Sequence, residues 1–65
     1  MRLRELRENL GYSQSDLEDI TGVPQSTISR LERKEVMSAR ERITEYALMQ
    51  KLIEHYNSEV KRNGG

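Results

Sequence analysis

Gly22-Val23-Pro24 constrains this chain more than any other feature. Glycine can take the left-handed conformation that closes one helix, and proline suits the first turn of the next because it has no amide to lose there. The segments on either side must therefore change direction across about three residues. Gly11 punctuates the chain upstream, and from Ser38 to Asn63 there is neither Gly nor Pro. Three short segments and one long one follow.

Each short segment carries a narrow apolar stripe. Leu3, Leu6 and Leu10 are spaced three and four apart, which predicts a helix over 2–10 closed by Gly11. Ser13 reads as an N-cap, with Asp16 complementing the dipole of a second helix over about 14–20 that buries Leu17 and Ile20. A third helix, about 24–33, has Ile28 and Leu31 as its inward residues. Val23 joins the same core. Ser38-Ala39-Arg40-Glu41 is a capping box, Ser with Glu three residues later. The helix it opens is expected to run to about residue 61, where ~22 residues make a rod of roughly 33 Å.

Composition limits what such helices can build. A chain of 65 residues is one domain with a small core. Phe, Trp and Cys are absent, so Leu, Ile, Val, Met, Ala and a few Tyr must form that core without disulfides or thiolate metal sites. His55 has no second ligand residue near it and reads as a helix-surface side chain. Ser13 is explained by capping and belongs to no nucleophile constellation. The expectation is therefore a protein that is not an enzyme and holds no metal or cofactor. No apolar run approaches the roughly 20 residues that span a bilayer, and the charged N-terminal segment has no apolar signal core. A cytoplasmic protein with no membrane contact is expected. Eleven basic residues balance eleven acidic ones. Residues 1–36 hold six basic and seven acidic side chains, close to −1.

The third helix is unusual on its outer side. Gln25, Ser26, Thr27, Ser29 and Arg30 cannot all face a core, and they are short hydrogen-bonding groups rather than Glu and Lys. Two short helices joined by a Gly-containing turn form a helix-turn-helix pattern. A helix fits the DNA major groove, where base edges present donors and acceptors in sequence-specific order. Gln can pair with adenine, Arg can grip guanine, Ser and Thr reach either, and the Thr methyl can touch thymine. Base contacts are accordingly expected from Gln25, Ser26, Thr27, Ser29 and Arg30. Backbone contacts are expected from Ser13, Arg33 and Lys34.

The stretch LRELRENLGYSQSDLEDITGVPQSTISRLERKE, residues 3 to 35, resembles the lambda-repressor/Cro-like (XRE-type) helix-turn-helix family of phage and bacterial regulators. The Leu-Gly-x-Ser-Gln start, the Gly-Val turn and STISRLE carry the resemblance. It implies that Gln14 contacts phosphate and braces Gln25, that Gln25, Ser26 and Arg30 read bases, and that Thr27 touches phosphate or a thymine methyl. It also implies an Arg7–Glu32 ion pair tying the first helix to the third. Lys34 stands where the family usually has Gly, so the third helix either extends there or ends in a strained turn. Glu35 stands where a phosphate-contacting base is common. One long helix replaces the two short ones usual at the C-terminal end.

Along that long helix Tyr46, Met49, Ile53, Tyr56 and Val60 follow 3-4-3-4 spacing, a coiled-coil seam of about two heptads. Leu48 and Leu52 widen it, and Ile43 and Ala47 lie on a neighbouring face. Ile43, Tyr46 and Ala47 are expected to fold back on the short helices. The later part, with Tyr46 at its edge and Met49, Leu52, Ile53, Tyr56 and Val60 within it, is expected to dimerise. The Glu and Arg residues of 40–45 read as a solvated face. The whole reads as an all-α protein: a helix-turn-helix DNA-binding unit over 1–36, and a dimerisation helix over 37–65. Its expected partner is double-stranded DNA, bound as a homodimer on a palindromic operator. A phage or mobile-element repressor is the origin the resemblance suggests. The competing reading, favoured by the negative charge of 1–36, is a module that binds another regulatory protein.

Overall fold

The computed structural model describes residues 1–64, with side chains through Arg62. Four helices follow one another: α1 Leu3–Leu10, α2 Gln14–Thr21, α3 Gln25–Arg33 and α4 Ala39–Gly64. No strand forms among the described residues. The fold is all-α, three short helices and one long C-terminal helix.

The glycine turns form as their residue type requires. Gly11 and Gly22 have φ of 83° and 79°, the left-handed region that an L side chain enters only with strain. Ser13 completes a capping box with Asp16, each side chain bonding the other's backbone N–H at 3.0 and 2.9 Å. Pro24 sits one residue outside α3 rather than in its first turn. Its ψ of 141° is extended, and its carbonyl accepts the amides of Thr27 and Ile28 at 3.0 and 3.1 Å. Lys34 neither extends α3 nor strains the backbone. Its φ of −79° and ψ of 129° are ordinary extended values, so α3 simply ends at Arg33.

α4 has 26 residues and runs past the expected end at about residue 61. At 1.5 Å per residue it is ~39 Å long, which accounts for the 41 Å long dimension of the molecule. It lies beside α1 and points the same way. Arg2 meets Glu45 at one end, and Tyr12 meets His55 edge-on at 6.0 Å near the other. The core is Leu3, Leu6, Leu17, Ile28, Leu31, Leu48 and Leu52, so α4 supplies two of its seven residues. Burying seven large aliphatic side chains at about 1.5–3 kcal/mol each is the main driving term.

Two expectations about α4 are corrected. Leu52 is fully buried in the chain's own core, and Met49 and Ile53 pack against that core. Ile43, Tyr46 and Ala47, expected to fold back, are all exposed, the first two by 70% and 64%. The cause is rotational phase. The inward face of α4 is centred on Glu45, Leu48 and Leu52, spaced three and four apart, and Met49 and Ile53 lie on its shoulder. The 3-4-3-4 seam therefore runs along the flank of the packed face rather than opposite it.

The 40–45 run is not a solvated face throughout. Glu45 is buried, accepting Arg2 Nε at 2.8 Å and the Leu3 backbone N–H at 3.1 Å. It thus serves the first turn of α1, whose own N-cap residue, Arg2, has no side-chain oxygen to offer. Glu41 accepts the Ser38 amide at 2.9 Å and is bonded by the Lys34 ammonium. The Lys34 and Ser38 bonds hold the Glu41 carboxyl well down, at about 2. A carboxyl whose folded value lies below its ordinary 4.5 binds fewer protons folded than unfolded. Its contribution is complete above about pH 4.5 and is lost as pH falls toward about 2. Melting temperature against pH should therefore drop through that window, and Glu41→Gln should flatten part of the drop. An unchanged profile would rule out this pair as a source of acid sensitivity.

Candidate nucleic-acid interface

The outer face of α3 is set by helical phase. With Ile28 and Leu31 directed inward, Ser26, Ser29, Arg30 and Arg33 recur at three and four on the opposite side. Ser26, Arg30 and Arg33 are exposed and Ser29 is half-exposed. Gln25 is exposed at the first turn, and Thr27 lies half-buried on one flank. Among the described residues Arg30 and Arg33 form no ion pair. Two guanidiniums are thus held on one face beside two hydroxyls, with donors free. That set can grip guanine and phosphate and can bond either kind of base edge.

α3 is held to the rest of the unit by a polar clamp. Glu32 accepts Arg7 Nε at 2.8 Å and Nη2 at 2.9 Å, the two-point geometry a guanidinium prefers. The pair is nearly excluded from water, its side chains 11% and 3% exposed. Arg7 Nη1 also donates to the Tyr12 carbonyl at 2.9 Å, tying down the α1–α2 turn. Burial alone would push the Glu32 carboxyl up. The bonds from Arg7 and Gln14 and the Arg7 charge outweigh it and hold Glu32 below the ordinary carboxylate range. The bond from Glu32 pushes Arg7 up in turn, against the cost of its burial.

Gln14 belongs to this clamp. Its Nε2 donates to Glu32 Oε1 at 3.0 Å, so it braces Glu32 and not Gln25, correcting that expectation. A carboxylate already facing a guanidinium is a stronger acceptor than a solvated amide, which decides between them. Lys34 is likewise engaged, by Glu41. Of the four expected backbone contacts, Ser13 and Arg33 are exposed, while Gln14 and Lys34 are committed within the chain. The Ser13 hydroxyl accepts the Asp16 amide and keeps its own proton to donate.

Two carboxylates were not singled out from sequence. Glu45 serves α1, and Glu18 accepts the Gln25 backbone N–H at 3.2 Å. Glu41, expected as the acid of the Ser38 capping box, also holds Lys34. The signal for Glu18 was negative: α3 follows Pro24, whose ring can cap nothing, so its first amides had to be satisfied from elsewhere.

The helix-turn-helix family model of the Cro/C1 type matches residues 3–60. The chain belongs to that family. This helix-turn-helix protein is therefore of a DNA-binding, transcription-regulating kind. The match extends well beyond residues 3–35, through most of α4, which agrees with the place of Leu48 and Leu52 in the common core. No curated protein and no solved structure matches the chain. None of its described helices is long and apolar enough to cross a membrane.

Proposed function

We propose that the protein is a sequence-specific DNA-binding regulator that lays α3 in the major groove and acts by occupying its operator. The observation that carries this is the outer face of α3. Ser26, Ser29, Arg30 and Arg33 stand on one side of a helix whose inner side is locked by Ile28, Leu31 and the Arg7–Glu32 clamp. A rigid helix presenting free donors suits base reading, since misplacement of about 1 Å forfeits a hydrogen bond. Gln25 and Arg30 read bases, with Ser26, Thr27 and Ser29 beside them, and Ser13 and Arg33 hold the backbone.

The regulator binds as a homodimer on a palindromic site. One helix reads only a few base pairs, and two-fold symmetry doubles the contacts about one DNA turn apart. The surface that supports pairing is the flank of α4. Tyr46 and Val60 are 64% and 49% exposed there, Tyr56 is also exposed, and Met49 and Ile53 present their outer edges. Each large side chain so covered could contribute about 1.5 kcal/mol.

Selection of bound sites from a random duplex pool tests the reading directly and should return a two-fold symmetric sequence. Arg30→Ala should then cost roughly 1–3 kcal/mol on that site and relax preference at one or two base pairs. Gln25→Ala should do the same at an adjacent position. If both variants bind as tightly as the parent, α3 is not the reading helix. The acidic balance of residues 1–36 favours a second reading, a module that binds another regulatory protein. A pool from which nothing is selected even at low salt would favour it.

A further inference from the structure

α4 carries a second row of side chains, on the side away from the core. Tyr46, Ile53 and Val60 share it with Ile43, Gln50 and Asn57 at 3-4-3-4-3 spacing, the repeat of a two-helix seam. By helical phase this row lies nearly opposite Leu48 and Leu52, which pack against the short helices. Ile43, Tyr46, Gln50, Asn57 and Val60 are exposed, and Ile53 is half-buried. The short helices therefore leave the row largely bare. Arg40, Ala47 and Glu54 recur every seven residues along one edge of it. All three are exposed, and among the described residues Arg40 and Glu54 form no ion pair.

We infer that this row takes a second copy of α4 laid antiparallel across it, with Ala47 beside the two-fold axis. The inference rests on the pairing reading above and adds its surface and its direction. In this register Ile43 faces Ile53 of the second copy, and Tyr46 faces Gln50, whose amide oxygen can accept the phenol proton. Edge residues meet edge residues, so Arg40 comes opposite Glu54 of the second copy. Two-fold symmetry makes two such ion pairs, one on each side of the axis. This charge complementarity fixes the occupant as another copy of the same helix. On the other edge Arg42 comes opposite the Tyr56 ring, a cation beside an aromatic face. Ala47 meets Ala47, and its small side chain lets the helices approach. The end of the second α4, with Val60, passes the loop that bears Val36, which is 88% exposed. One arrangement thus covers every exposed large apolar side chain described except Met1. A parallel pair does not. It sets Gln50 against Gln50 and Asn57 against Asn57, keeps Arg40 and Glu54 apart, and leaves Val36 bare.

Cysteine is absent from the chain, so one substitution gives one thiol. Ala47→Cys, at micromolar concentration and without DNA, should be captured as a covalent dimer by a short bismaleimide. Val60→Cys should not, because the two copies of residue 60 stand roughly 36 Å apart in this register. Charge reversal tests the ion pairs independently, with sedimentation reading the dimer and circular dichroism confirming the fold. Arg40→Glu alone, or Glu54→Arg alone, should weaken the dimer roughly tenfold, as two symmetry-related pairs turn repulsive together. The variant carrying both substitutions should pair nearly as well as the parent, since the two charges have only changed places. Capture of Val60→Cys but not of Ala47→Cys would set the helices parallel and overturn this inference while leaving the pairing itself intact. A double variant no better than the single ones would overturn the register in the same way. If the parent is monomeric at micromolar concentration, the pairing reading fails and this inference falls with it.

Discussion

Arg7→Ala should leave most molecules unfolded at room temperature. The guanidinium makes three bonds, two to Glu32 and one to the Tyr12 carbonyl, and joins α1 to both α3 and the α1–α2 turn. Truncation removes all three together. It leaves the Glu32 carboxylate almost out of water, with only the Gln14 amide beside it, and orphans the Tyr12 carbonyl. Breaking a buried pair by deleting one partner costs about 3–5 kcal/mol. A single core in a chain this small supplies about 3–5 kcal/mol in total. The two figures are of the same size, so the folded state loses its margin. Glu32→Ala should be milder, since Arg7 keeps the Tyr12 carbonyl and can reach water with its remaining donors. The double variant should lose less than the sum, because the second deletion removes the stranded charge left by the first. Urea or thermal unfolding of the four proteins measures this, and strict additivity would mean that the pair is not energetically coupled.

The clamp also shows which parts of the molecule were legible in the sequence. Local chemistry was readable. Gly11 and Gly22 demand their turns, Ser13 and Ser38 cap with an acid three residues on, and Leu3, Leu6, Leu17, Ile28 and Leu31 repeat at helical spacing. These depend on neighbours within four residues, so the string contains them. The partners of charged side chains were not readable in the same way. Glu45 meets Arg2 across 43 positions and Glu18 meets Gln25 across seven. Nothing in a local window distinguishes a carboxylate that caps a distant helix from one that faces water. The Arg7–Glu32 pair, 25 positions apart, came into view only through resemblance to a family. Gln14 shows the limit of that route, because its amide turned to Glu32.

The face of α4 was the other illegible element, and for a different reason. Its apolar residues cover an arc wide enough to hold two stripes, Leu48-Leu52, continued by the buried Glu45, and Tyr46-Met49-Ile53-Tyr56-Val60. Spacing alone cannot say which stripe meets the short helices. The packing of Leu3 and Leu6 against Leu48 and Leu52 decides it. Ile53 is consequently a poor position for testing dimerisation, since it packs against the chain's own core as well.

Leu52→Ala and Val60→Glu should therefore fail in opposite ways. Leu52 is 0% exposed and sits among the seven core residues. Truncating a buried leucine costs about 2–5 kcal/mol, the lost transfer energy plus the cavity left behind. Against a margin of about 3–5 kcal/mol that should unfold much of the population, and helical circular dichroism should fall with it. Val60 is 49% exposed near the far end of α4, beyond the contact between Tyr12 and His55. A glutamate there removes nothing from the core, so helicity and melting of the single chain should persist. In a symmetric pair built on the α4 flank it would put a carboxylate into each apolar seam, which is unfavourable to bury without a partner. Light scattering should then give 7.6 kDa for Val60→Glu where the parent gives twice that value. Operator affinity should fall with it, because each half-site would bind alone. If Leu52→Ala instead stayed folded and became monomeric, Leu52 would belong to the interface and not to the core. If the parent were itself monomeric at micromolar concentration, the α4 flank would not pair with its own copy, and Tyr46 and Val60 would be ordinary exposed residues.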